Sequence, residues 1–193
     1  MLRPAQTLPE NYSKSSEINL SAHKGQLILL NIIGLILFGI SFVLLTSLCI
    51  NIHPELQTGF DITIKSVLLL IGLSVIMMLV HEAIHGFFFW RFTHARPVFA
   101  MRLTYAYAAA PDWFIPAHQY WIVGLSPLII IGMVCVLIIV IAPANWALPA
   151  AFLAALNTGG AIGDLWITFR LSQEIPGALA QDTGDKVSFF APQ

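Results

Sequence analysis

Four stretches of this chain, 26–50, 63–90, 120–141 and 146–170, are apolar over lengths that reach across a bilayer. A helix needs about 20 apolar residues to cross the hydrocarbon core. In lipid such a segment must also satisfy its own backbone N–H and C=O groups, which selects the helix. Only 10% of the 193 residues are charged and 58% are hydrophobic, whereas a soluble domain carries about 25% charge. The expectation is an all-α membrane protein, a bundle of four transmembrane helices with a partly extended loop between helices two and three. Residues 1–25 read as a polar arm, 26–170 as the membrane domain and 171–193 as a cytoplasmic tail. The arm has room for a short interfacial helix near Ile18 and Leu20.

Four spans place both termini on one side. Arg3, Lys14 and Lys24 precede the first span, Arg91, Arg96 and Arg102 follow the second, and Arg170 and Lys186 lie at the end of the fourth or beyond it. The other side has only Lys65. The positive-inside rule therefore assigns both termini and the loop between spans two and three to the cytoplasm. The run Phe87-Phe88-Phe89-Trp90-Arg91-Phe92 reads as an aromatic interface belt. A net charge of −1 gives no reason to expect a nucleic-acid partner. Membrane lipids are the expected surroundings. Cys49 and Cys135 sit in apolar runs and read as small hydrophobes rather than a disulfide. Met1–Gly25, with Pro4 and Pro9, does not read as a cleaved signal peptide.

Away from their ends, spans one and three carry no ionisable residue, span two carries His81, Glu82 and His85, and span four carries Asp164. Charge in lipid costs a few kcal/mol even on the gentler scales, so such residues pair with one another or with an ion. His81 and His85 are four apart and share a helix face. With Glu82 they form the His-Glu-x-x-His pattern, two zinc ligands and a general base. Asp164 is the remaining partner. From Lys65 to His81 is about 24 Å of straight helix and from Trp146 to Asp164 about 27 Å, so the two come to similar depth. His81, His85 and Asp164 then make a three-ligand site for Zn2+, with Glu82 catalytic and peptide hydrolysis as the chemistry.

Span four also carries a small-residue stripe, Ala155, Gly159 and Gly163, that admits another helix backbone. Asn157 either contacts a substrate carbonyl, orients a ligand or bonds another helix. His53, His94 and His118 lie in loops and read as solvated or interfacial, with His118 a lesser alternative as third ligand. Asp182-Thr183-Gly184 matches the aspartic-protease triplet, but no span supplies the second carboxylate that chemistry needs. Ser126-Pro127 marks a kink. In the loop, Phe99, Met101, Leu103, Tyr105 and Tyr107 alternate with Ala100, Arg102, Thr104 and Ala106 at the period of a strand. That strand either rests on headgroups or offers an edge to an extended peptide.

From Thr63 to the C-terminus the pattern resembles the site-2 protease superfamily of intramembrane zinc peptidases. More narrowly it resembles the small bacterial membrane family of putative zincin peptidases. The resemblance implies zinc on His81, His85 and Asp164, with Glu82 catalytic. It departs in span four, where Asn157 is followed by Thr158 rather than proline, and Asp164 by Leu165 rather than glycine. The first reading is a membrane-embedded endopeptidase acting on a membrane-embedded or membrane-adjacent peptide. The alternative is a zinc-binding structural or regulatory membrane protein without peptidase activity. A metal transporter is weaker, because it would need ligands at several depths.

Overall fold

A computed structural model of the chain describes residues 2–19, 22–58, 63–101 and 106–193. The elements are β1 (Tyr12–Ile18), α1 (Lys24–Ile52), α2 (Ile64–Thr93), β2 (Val98–Met101), β3 (Ala106–Ala109), β4 (Ile115–Pro116), α3 (Ala117–Ile141), α4 (Ala144–Gly160), α5 (Ile162–Ser172), β5 (Leu179–Asp182) and β6 (Val187–Pro192). A 3-10 turn covers Pro54–Thr58. The three helices α1, α2 and α3 are each long and apolar enough to cross a membrane, and α4 with α5 passes as a fourth span if the bent pair is counted as one. Their apolar side chains largely face outward, as lipid-facing helices require. The fold is mostly helical, but it also contains strands.

The chain divides into two compact units. The dividing lines fall between Leu30 and Asn31, His81 and Glu82, Pro127 and Leu128, and Ile162 and Gly163, each inside a helix. In the unit made of Asn31–His81 and Leu128–Ile162, α1 and α4 approach at two glycines. A Cβ on Gly159 would fall 2.7 Å from the Gly34 carbonyl oxygen and 2.9 Å from Phe38 Cβ. Gly159 of the small-residue stripe thus meets α1, whereas a Cβ on Gly163 would meet nothing within 4 Å, and Phe152 packs edge-on against Phe38 and Phe42. Gly159→Ala must push backbone apart here. It is expected to cost about 1–3 kcal/mol, read as a lowered unfolding midpoint in detergent; an unchanged midpoint would contradict the close approach. His53, read as solvated or interfacial, is half-buried, and its Nε2 meets the Ile139 carbonyl at 2.9 Å. It thereby satisfies one of the orphan carbonyls at the end of α3.

The other unit, Met1–Leu30, Glu82–Pro127 and Gly163–Gln193, contains the polar arm and the tail. The arm contributes β1 and the tail β5 and β6 to one sheet, completed by β4, in the order β1-β6-β5-β4. Tyr12 lies opposite Pro192 and Ile18 opposite Val187, while Ile115 lies opposite Ala180. Ile18 therefore sits in a strand instead of an interfacial helix; Leu20 lies outside the described residues. The sheet covers a core of Phe89, Ile115, Tyr120, Val123, Leu171 and Phe189. Phe89 is 1% exposed, so the aromatic belt is split: Phe87 and Trp90 face outward while Phe89 is core. The loop strand is a hairpin in which Phe99 lies opposite Ala108. Arg102, Leu103, Thr104 and Tyr105 fall outside the described residues.

The expected fourth span is broken at Ala161 into α4 and α5. The run Thr158-Gly159-Gly160 ends α4, and the Ala161 N–H closes it on the Asn157 carbonyl at 2.9 Å. Asp164 is consequently a first-turn residue of α5, not the interior of a straight helix. The straight-helix depth estimate does not apply to it.

Candidate metal centre

Helix α2 carries His81 and His85 one turn apart on one face. Opposite His85, α5 presents Asp164, whose Oδ1 lies 3.4 Å from His85 Nε2. One ligand atom from each of His81, His85 and Asp164 lies within 4.8 Å of the others. A tetrahedral zinc with bonds of 2.0–2.1 Å has ligand–ligand edges of about 3.4 Å, so the His85–Asp164 spacing already fits one edge. Two imidazoles and a carboxylate are also a donor set that zinc takes readily. Among the described residues the cluster has these three members.

Each imidazole is oriented from behind. His85 is 6% exposed, and its Nδ1 donates to the Val123 carbonyl at 2.9 Å. His81 Nδ1 lies 2.9 Å from the Asn157 side-chain oxygen, while the Asn157 amide nitrogen donates to the Leu128 carbonyl at 3.3 Å. An amide oxygen only accepts, so Nδ1 of His81 carries the proton and Nε2 is the nitrogen that could serve as a metal ligand. Asn157 thus bonds two other helices, meeting His81 on α2 and the Leu128 carbonyl on α3. Such partners typically hold 10–100-fold in metal affinity. Asn157→Leu is expected to weaken zinc binding by about that factor, measured against a chromophoric chelator; wild-type affinity would show the contact to be idle.

The helix α5 is held close to α3 by a gap in side-chain volume. A Cβ on Gly124 would fall 2.7 Å from Thr168 Oγ1, and that hydroxyl donates to the Asp164 carbonyl at 2.6 Å. Glu82 follows His81 on α2 and is half-buried. The hairpin reaches the same helix, because Phe99 occupies the space a side chain on Gly86 would need. His118 is exposed and is not in the cluster.

Asp182 is buried, accepts from the Tyr120 hydroxyl at 2.6 Å and accepts from the Gly184 N–H at 2.8 Å. It ties the sheet to α3. Burial pushes its carboxyl above the ordinary range, against the pull of the two donors and of nearby His85. The native state therefore holds this proton to higher pH than the unfolded chain does. Stability contributed by Asp182 falls as pH rises from about 4, the unfolded value, toward the native one. Asp182→Asn is expected to flatten that part of the curve of unfolding midpoint against pH, and an unchanged slope would assign it to another group. The Tyr120–Asp182 link and the Val123 carbonyl carry no sequence motif, and pattern reasoning missed both.

No curated protein and no solved structure matches this chain. A family model described as "Putative zincin peptidase" matches residues 74–179, which include His81, Glu82, His85, Asn157 and Asp164. With just over half of its length matched, the chain belongs to this zincin peptidase family.

Proposed function

We propose that the protein is a multi-pass membrane zinc endopeptidase of the site-2 protease type, cutting a peptide bond in or next to the bilayer. In this reading four spans form the bundle, α4 and α5 together making the fourth. Both termini and the loop between α2 and α3 lie in the cytoplasm, where the cationic residues concentrate. The observation that carries the reading is the convergence of His81, His85 and Asp164, beside Glu82, in a zincin-family chain.

Catalytic zinc sites use three protein ligands where structural ones use four. When bound, zinc supplies Lewis-acid activation of water and of the scissile carbonyl. The chain's own residues do the rest. Glu82 accepts the proton of the attacking water as the new C–O bond forms, and returns it to the amine as the C–N bond breaks. Asn157 and the Val123 carbonyl keep the two imidazoles in the tautomer the site requires.

Elemental analysis of the purified chain tests the metal half of this reading. We expect about one zinc per chain in wild type, and its loss in His81→Ala and Asp164→Ala. A metal-free wild type, or retention in both variants, would remove the basis for an enzyme.

A further inference from the structure

Helix α3 contains an internal proline, Pro127, four residues after Val123. In an α-helix the carbonyl of residue i accepts the N–H of residue i+4. Proline has no N–H, so the Val123 carbonyl lacks its ordinary helical donor. It is this carbonyl that His85 Nδ1 meets at 2.9 Å, with the Ser126 hydroxyl donating to it at 3.1 Å. His85, Val123 and Pro127 are all buried. A buried imidazole N–H with no acceptor would carry a desolvation penalty, and a carbonyl already spent on its helix is a poorer acceptor.

We infer that Pro127 is a positioning residue of the metal centre: by withholding an N–H it reserves the Val123 carbonyl for His85 Nδ1, and so holds His85 Nε2 toward Asp164. The proline acts through Val123 and touches no reacting atom. The residue after the proline serves the other histidine, since the Leu128 carbonyl receives the Asn157 amide whose oxygen meets His81. Outer partners of both histidines therefore come from the stretch of α3 around the proline.

The inference rests on zinc binding as proposed above, and the test separates the two. Wild type, Pro127→Ala and Pro149→Ala are compared as full-length chains in detergent; Pro149 is an internal proline of α4, remote in sequence from the ligands, and serves as control. Zinc affinity is read by chelator competition, unfolding midpoint is read without metal, and the His85 Nδ1 proton is read by NMR of 15N-histidine-labelled protein. Alanine restores an N–H that competes for Val123. We expect Pro127→Ala to bind zinc about 10–100-fold more weakly, with an upfield shift of the Nδ1 proton. Its metal-free midpoint should not drop in proportion, because removing a helix-interior proline offsets lost packing. Pro149→Ala should bind like wild type.

Wild-type affinity and an unshifted Nδ1 proton in Pro127→Ala would overturn the inference. So would weaker binding with the Nδ1 proton unmoved, or an equal loss in Pro149→Ala. If Pro127→Ala cannot be purified, the wild-type spectrum decides. A hydrogen-bonded, slowly exchanging Nδ1 proton on His85 supports the assignment, and a bare Nδ1 ends it. Failure of wild type to bind zinc would instead sink the proposed function.

Discussion

Replacing Glu82 with glutamine is expected to leave zinc content at the wild-type level and to lower peptide-bond cleavage by about 10²–10⁴-fold, the range general acid–base groups contribute. Glutamine keeps the volume and the hydrogen-bonding reach of glutamate but cannot hold a transferable proton. His81, His85 and Asp164 are untouched by the change, so the metal should stay. The readout is the set of new protein N-termini in membranes of cells expressing wild type or Glu82→Gln, alongside elemental analysis of both. Loss of cleavage with retained zinc identifies the proton-transfer group. Identical N-termini from the two would favour a zinc-binding protein with a structural or regulatory role. Loss of zinc in Glu82→Gln would mean that the carboxylate helps hold the metal instead of moving a proton.

The second large effect is expected far from the ligands in sequence. Phe189 is fully buried in β6 and sits in one core with Phe89, Tyr120 and Val123. Truncating a buried phenylalanine to alanine costs about 3–5 kcal/mol, a large share of the about 5–15 kcal/mol that stabilises a typical fold. Phe189→Ala should therefore unfold at a much lower temperature or fail to accumulate. A disposable tail would tolerate the change. An unfolding midpoint within a degree or two of wild type would show that the sheet contributes little to the structure.

The long apolar helices and the grouping of His81, His85 and Asp164 were both legible in the sequence for one reason: lipid makes polarity expensive. Apolar runs of 25 or so residues admit little besides a helix, and α1, α2 and α3 lie where those runs lie. The same cost isolates His81, His85 and Asp164 against a background without charge. The sheet was illegible because its information is not local. β1 is the polar segment Tyr12–Ile18, an edge strand, and Tyr12 pairs with Pro192 at the far end of the chain. β4 is two residues long and has no period to detect. The strand period in the loop was detectable, but it could not distinguish one strand from the hairpin of β2 and β3. The break at Ala161 escaped because Gly159 and Gly160 fit a helix-packing stripe as well as they fit a helix end.

That break also bears on the site when no ion is bound. A helix beginning at Ile162 leaves the N–H groups of its opening turn without intrahelical acceptors, and Asp164 falls within that turn. The aligned peptide dipoles put about half a positive charge there, so the backbone itself offers an aspartate some of the counter-charge a cation would bring. The break at Ala161 therefore sets partial positive charge of the backbone beside the Asp164 carboxylate, which a straight fourth helix would not do.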